Sequence, residues 1–112
     1  YRCVQAEEMR PIKDAVHGDL AASQAVHDWV VGVCIDLGGD ISDIVPFEKY
    51  AKAASSLANP SSAARALAAG AKDIERVDKL VSLVAAQQGK HLEVVDETVA
   101  VVEKWLTQNR AA

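Results

Sequence analysis

Residues 73–89 read DIERVDKLVSLVAAQQG, and this stretch decides the fold class. Its apolar side chains recur at spacings of three and four, which is the repeat of one face of an α-helix. They are Ile74, Val77, Leu80, Val81 and Val84. Gly89 follows, and a glycine just after such a run marks the end of a helix because it adopts the left-handed conformation without strain. The pattern predicts a helix that begins at Asp73 and ends before Gly89.

The flanking segments show the same periodicity. Downstream, we expect a helix from Glu93 to about Asn109, with an apolar stripe of Val95, Val99, Val102 and Leu106 that is widened by Val94, Val101 and Trp105. Upstream, Ser61 or Ser62 can cap a short Ala-rich helix that ends at Gly70. Before it, Pro46 opens a helix that ends at Asn59-Pro60. The apolar face of that helix consists of Phe47, Tyr50, Ala51, Ala54 and Leu57.

The first 40 residues are predicted to be helical as well. Arg2 to Val16 has loose helical spacing, with a kink or break near Arg10 because Pro11 interrupts it, and Gly18 closes this segment in the left-handed conformation. Ser23 can cap the next helix, which Gly38-Gly39 ends. Its apolar face consists of Val26, Trp29, Val30, Val33, Ile35 and Leu37. Because no segment alternates like a strand, we expect an all-α fold, one domain of five to six helices over residues 1–112.

Composition excludes several classes of function. Twelve basic and 16 acidic residues give a net charge of −4, and a surface of that sign repels nucleic-acid phosphates and anionic lipids. No apolar run approaches the roughly 18 residues that span a bilayer, and there is no signal-peptide pattern, so we expect a cytoplasmic protein that binds neither nucleic acid nor membrane. The opening Tyr1-Arg2-Cys3, which lacks an initiator methionine, indicates a piece of a longer chain.

No catalytic, metal or nucleotide site is complete in the sequence. His17, His27 and His91 lie too far from one another and from a cysteine for a zinc site, so no metal ligand is predicted. Cys3 and Cys34 are expected to be reduced, with Cys34 packed in the core as a small apolar side chain. Neither GxGxxG nor GxxxxGK occurs, so this chain alone is not expected to bind NADPH or another nucleotide.

Residues 59–80 read NPSSAARALAAGAKDIERVDKL. This stretch resembles the signature of the C-terminal helical domain of ketopantoate reductases, in which a Ser-Ser pair opens a helix, a glycine follows, and Thr-Glu-Ile-Asp begins the next helix. Gly18-Asp19-Leu20 and Val94-Val95-Asp96 are similar to two further segments of that family. The resemblance implies an all-α domain of the type found at the C-terminus of 6-phosphogluconate dehydrogenase.

The resemblance also implies an activity. Ketopantoate reductases hold NADPH in an N-terminal Rossmann domain, which is absent from this chain, and reduce 2-oxo acids. Their helical domain supplies a lysine as proton donor, two asparagines, a serine and a glutamate. Ser61 and Ser62 stand at the serine, and Glu75 stands at the glutamate if one residue is inserted, whereas an ungapped comparison places Ile74 there. Aligning Pro11 with the family's Asn-Pro places Arg2 at the lysine, with Ala6 and Arg10 at the asparagines.

The resemblance therefore predicts a substrate-binding and dimerisation domain of an NADPH-dependent 2-oxo acid reductase, inactive by itself. Substrate contacts are expected at Asn59, Ser61, Ser62 and Glu75. No catalytic residue is assigned, because an arginine such as Arg2 stays protonated and is a poor general acid. Self-association is expected through the helices after Asp73, since the last helix carries more apolar positions than one packed face needs. The alternative is a stand-alone helical interaction or dimerisation module with no catalytic role.

Overall fold

Six α-helices follow one another in the computed structural model, which describes residues 1–112. They are α1 (Ile12–His17), α2 (Leu20–Asp36), α3 (Phe47–Ala54), α4 (Ser62–Ala68), α5 (Val77–Gln87) and α6 (Glu93–Ala111). A short 3-10 turn, Ile41–Asp43, lies between α2 and α3. The only β pairing is an isolated antiparallel bridge between Val4 and Met9. The predicted all-α single domain is confirmed.

Several helix ends follow the predicted chemistry. The Ser61 hydroxyl accepts a hydrogen bond from the backbone N–H of Ala64 at 3.3 Å, so Ser61 is the residue that caps α4. Gly70 and Gly89 follow α4 and α5 with φ values of 96° and 71°, in the left-handed region that favours glycine. These three residues set the ends of the two helices that the sequence marked most clearly.

Two predictions for the first helices are wrong. Asp19, not Ser23, caps α2, and its carboxylate accepts from the N–H of Ala22 at 3.0 Å. Ser23 lies buried in the first turn of α2 and donates its hydroxyl hydrogen to the carbonyl of Val16 at 2.9 Å, which ties α1 to α2. The backbone of Gly18 adopts the right-handed helical conformation, with φ of −60°. A glycine is required at this position because a Cβ there would lie 2.6 Å from the carbonyl oxygen of Asp14.

Helices α3 and α5 are shorter than predicted. Helix α3 ends at Ala54 and does not reach Asn59, since the hydroxyls of Ser55 and Ser56 donate to the last carbonyls of the helix at 2.6 and 3.0 Å. Such side-chain bonds give the backbone an alternative to a further helical turn. Helix α5 begins at Val77 and not at Asp73, because Ile74 packs against the core from a non-helical segment.

Residues 2–10 form a hairpin-like turn, here called the N-terminal hairpin, and not the predicted helix. Its two arms meet at the Val4–Met9 bridge, and the N–H of Arg10 donates to the carbonyl of Cys3 at 2.7 Å. The predicted break near Arg10 is confirmed, because α1 begins directly after Pro11, whose ring blocks a preceding helical turn. The indole N–H of Trp105 donates to the carbonyl of Gln5 at 2.6 Å and fastens the hairpin to α6.

The main core lies where the N-terminal hairpin meets α1, α4 and α6. It contains Cys3, Val4, Ala15, Ala64, Leu67, Val102 and Leu106, with Met9, Ile12, Ile74, Val101 and Trp105 packed against it. Cys3 is the buried thiol and Cys34 is exposed, so the prediction that Cys34 packs in the core is wrong. Neither cysteine is in a disulfide. No helix combines the length and the apolar character that crossing a membrane requires.

Candidate functional site

A groove of about 570 Å³ opens between the N-terminal hairpin, the start of α4, the segment before α5 and the middle of α6. Of the four predicted substrate contacts, Ser61, Ser62 and Glu75 line it and Asn59 does not. We call it the serine groove. Its walls are Tyr1, Cys3, Val4, Ser61, Ser62, Ala63, Ala66, Asp73, Ile74, Glu75, Val77, Asp78, Thr98 and Val102.

The predicted residues occupy different positions around this groove. The Ser61 hydroxyl is engaged by the Ala64 N–H, whereas Ser62 is the exposed first residue of α4 and its hydroxyl makes no hydrogen bond within the chain. Glu75 is exposed in the segment before α5. Asn59 has a structural role, because its carbonyl accepts from the N–H of Ile12 at 2.9 Å and fixes the start of α1. Ser62 and Glu75 are therefore the polar side chains best placed to meet a ligand.

The charged side chains of the serine groove are all acidic. Asp73 pairs with Arg110 at 3.1 Å, and both oxygens of Asp78 accept from Arg76 at 3.1 Å. Glu75 has no ion-pair partner, and no lysine, arginine or histidine lines the groove. Glu75 can therefore accept a hydrogen bond from a hydroxyl or amine of a ligand. The groove provides no cation for a ligand carboxylate.

Arg76 fixes the segment that carries Glu75. Its guanidinium donates to Asp78 in the first turn of α5 and to Glu103 on α6, the latter at 2.6 Å. The hydrogen bonds to the Asp78 carboxylate, supported by those to Glu103, raise the pKa of Arg76 above its ordinary value. In turn, the hydrogen bond from Arg76 lowers the pKa of Glu103. Arg76 thus joins the start of α5 to α6 and is not free to bind a ligand.

A second cavity of about 380 Å³ adjoins the serine groove. We call it the arginine pocket, because Arg2 and Arg10 both line it. Its full lining is Tyr1, Arg2, Val4, Gln5, Ala6, Arg10, Val94, Glu97, Thr98 and Val101. Three of these residues, Tyr1, Val4 and Thr98, also line the serine groove and form a common wall. The three positions that the resemblance placed at the family's lysine and asparagines, Arg2, Ala6 and Arg10, therefore lie together.

Sequence analysis missed the two polar side chains of this common wall. Tyr1 belongs to a non-helical segment that shows no periodic pattern, and Thr98 lies among the valines of α6. Thr98 lies four residues before Val102, so it projects from the same face of α6 as that core residue. This four-residue spacing is the one feature of the sequence that places Thr98 beside the site.

The three histidines lie apart from both cavities and join helices or turns. His17 Nε2 donates to the carbonyl of Ala51 at 2.7 Å and connects α1 to α3. His27 Nε2 donates to the carbonyl of Val45 at 3.2 Å, and its ring lies against Phe47. His91 Nδ1 lies 3.8 Å from Asp96 at the start of α6. No three His, Cys, Asp or Glu side chains converge into a group that could hold a metal ion.

Comparisons of the chain with protein-family models, with curated proteins and with solved structures gave no match. The two adjoining cavities and the residues that line them are therefore the features of this chain that indicate a function.

Proposed function

We propose that the chain is the helical substrate-binding domain of an NADPH-dependent 2-oxo acid reductase that resembles ketopantoate reductase. The observation that supports this proposal is the convergence of residues that are distant in sequence. The resemblance predicted substrate contacts at Asn59, Ser61, Ser62 and Glu75, and it aligned Arg2, Ala6 and Arg10 with the family's lysine and asparagines. All of these residues except Asn59 line one of two cavities that share a wall. In this proposal the helices have the 6-phosphogluconate dehydrogenase C-terminal arrangement, and the protein acts in the cytoplasm.

In this proposal the residues of the chain bind and orient the substrate. The Ser62 hydroxyl donates to a substrate oxygen, and the Glu75 carboxylate accepts from a substrate hydroxyl. The residues present do not fit NADPH, since no strand leads into a glycine-rich turn that could cradle its phosphates. The cofactor would be held by a Rossmann domain outside this chain and would supply the hydride. The chain alone is accordingly inactive.

The gene provides the first test of this proposal. We expect the DNA upstream of the Tyr1 codon to encode, in the same frame and within about 200 residues, a strand followed by GxGxxG. A stop codon followed by a local start codon would contradict the reductase proposal. That result would favour a stand-alone helical module.

A stand-alone interaction or dimerisation module is the second candidate, and the exposed surface of α5 favours it. Val77, Leu80 and Leu83 are 63%, 59% and 56% exposed and lie three residues apart on one side of the helix. Contiguous exposed apolar side chains of this kind favour association. The extra apolar residues of α6 are less available, because Val101 and Trp105 pack against the core. We therefore place the proposed self-association on α5.

Sedimentation tests this second candidate. We expect the wild-type chain to form a dimer at tens of micromolar and Leu80→Glu to abolish it while helicity is retained. Leu20→Glu is the matched control, since Leu20 is also an exposed leucine but lies at the start of α2. A monomeric wild type would contradict self-association. A dimer that survives Leu80→Glu would place the interface elsewhere.

A further inference from the structure

The N-terminal hairpin brings two guanidinium groups into one cavity. Arg2 and Arg10 flank the Val4–Met9 bridge on opposite arms, and the N–H of Arg10 donates to the carbonyl of Cys3. Because paired arms keep their flanking residues together, both side chains line the arginine pocket. This placement depends on the hairpin, since the two positions are eight residues apart and on a helix would lie about two turns apart.

Neither guanidinium is held in a buried ion pair within the chain. Arg2 forms no ion pair, and its guanidinium carbon lies 5.2 Å from the centre of the Tyr1 ring. The Nε of Arg10 lies 3.8 Å from Glu8, but both side chains are largely exposed, at 45% and 69%. An exposed pair of this kind contributes little and is readily exchanged. Glu97 is the one carboxylate among the lining residues, so the two arginines give the arginine pocket an excess of positive charge.

Guanidinium groups are well suited to binding carboxylates. Each is planar, stays protonated and presents paired N–H donors that match the two oxygens of a carboxylate. The serine groove has the opposite character, because its charged side chains are Asp73, Glu75 and Asp78. A ligand that carries a carboxylate at one end and a hydroxyl or carbonyl at the other therefore has one orientation in which both ends are matched.

The common wall provides a third observation. The hydroxyl of Tyr1 is buried and has no hydrogen-bond partner. Buried polar groups without a partner are rare in folded proteins, and each calls for an explanation. Tyr1 lines both cavities, so the residue that carries this unpartnered hydroxyl belongs to the wall between them.

We propose that Arg2 and Arg10 bind the carboxylate of a small 2-oxo acid whose other end lies in the serine groove. The oxo group then lies at the common wall of Tyr1, Val4 and Thr98, and the far end of the ligand meets Ser62 and Glu75. This assignment rests on the proposed function and deepens it. It places the carboxylate at the N-terminal hairpin and not at the Asn59–Ser62 turn, where the resemblance predicted substrate contacts. In this role Arg2 binds an anion and donates no proton to the reaction.

The test is a chemical-shift titration of the isotope-labelled chain with 2-oxobutanoate, with butanone as the probe that lacks a carboxylate and inorganic phosphate as a simple anion. Arg2→Gln and Arg10→Gln remove one guanidinium each, and Arg2→Lys and Arg10→Lys keep the charge but lose the paired donors. Arg65→Gln is the matched control, because Arg65 is exposed on α4, lines neither cavity and forms no ion pair. Circular dichroism verifies that each variant is folded.

We expect 2-oxobutanoate, which carries no hydroxyl for Ser62 or Glu75, to shift the amides of the N-terminal hairpin and of Thr98 in a saturable way. Each Gln variant should weaken binding at least tenfold, which is about what loss of one charge-assisted hydrogen bond costs. The affinity of the Lys variants for 2-oxobutanoate should lie between those of the wild type and the Gln variants, and Arg65→Gln should bind like the wild type. Butanone should cause no saturable shifts.

Three results would overturn the inference in distinguishable ways. Saturable shifts at Ser62 and Glu75 that the Arg2 and Arg10 variants leave unchanged would refute the carboxylate site and leave the proposed function standing. Phosphate that binds the hairpin as tightly as 2-oxobutanoate would show a general anion site and refute the carboxylate assignment. No saturable shift anywhere with a folded wild-type chain would refute both the inference and the proposed function.

Discussion

Trp105→Phe tests how the N-terminal hairpin is held in place. The indole N–H of Trp105 donates to the carbonyl of Gln5 at 2.6 Å, and no other side-chain hydrogen bond joins the hairpin to α6. Phenylalanine keeps an apolar ring against the core but removes the donor. The carbonyl of Gln5 then loses its partner in a partly buried position, which costs about 1–3 kcal/mol. A loss of about 1.5 kcal/mol lowers the ratio of folded to unfolded chain roughly tenfold.

Two assays resolve this effect. In urea unfolding, we expect a lower midpoint with an unchanged slope, since the surface exposed on unfolding is nearly the same. In hydrogen exchange, the N–H of Arg10 should lose protection, because it bonds to Cys3 across the hairpin that Trp105 fastens. Binding of 2-oxobutanoate should weaken as well, since the hairpin carries both proposed carboxylate ligands.

Trp29→Phe is the matched control, because Trp29 is also partly buried but its indole N–H makes no hydrogen bond within the chain. We expect a loss below about 1 kcal/mol for Trp29→Phe, because Trp29 is only partly buried and the substitution removes only part of its ring. Equal destabilisation by the two substitutions, or full protection of Arg10 in Trp105→Phe, would refute the reasoning. Either result would mean that apolar contacts alone hold the hairpin.

Four further substitutions test the packing, the backbone and the charges. Leu67→Ala should lower the free energy of unfolding by about 3 kcal/mol in urea, because Leu67 is fully buried in the core. Gly32→Ala within α2 should raise the melting temperature by the equivalent of about 1 kcal/mol, since a Cβ there meets no atom within 4 Å. Gly70→Ala should lower it by a similar amount, because φ there is 96°. The pKa of Glu103 is lowered by Arg76, so this pair stabilises the fold above the unfolded pKa of a glutamate, and the stabilisation disappears as the pH falls through the lower folded value. In Glu103→Gln, the free energy of unfolding should therefore fall less steeply as the pH is lowered. An unchanged dependence on pH would contradict the role of this pair.

The fold class was predictable because the second half of the chain is locally consistent. The spacing of three and four in α5, the stripe of α6, and the glycines at 70 and 89 all indicate the same helices that the structure contains. Local pattern was insufficient for the hairpin. Val4 and Met9 are compatible with a helix, but Trp105 bonds to a residue 100 positions away, and such a contact is invisible to a local pattern.

Helix α2 shows a second reason why some predictions from the sequence were wrong. Its run Val30-Val31-Gly32-Val33-Cys34-Ile35 is apolar on every side, so periodicity does not identify the buried face. Val33 is buried, and Cys34, one residue further around the helix, is exposed. At the candidate site, the resemblance selected Ser61, Ser62 and Glu75, and the structure places them around one groove. Of the two polar residues of the common wall, Thr98 was indicated only by its spacing from Val102 on α6, and Tyr1 required the three-dimensional arrangement.

The most direct test of the central claim is NADPH oxidation by the complete gene product in the presence of a panel of 2-oxo acids. We expect NADPH to be consumed with at least one of these acids, and kcat/KM to fall about tenfold or more in Ser62→Ala and in Glu75→Ala, since each removes one hydrogen bond to the substrate. Thr107→Ala on the exposed side of α6 should leave turnover unchanged. A complete gene product that binds NADPH but consumes it with none of the 2-oxo acids would contradict the claim that this domain binds their substrate.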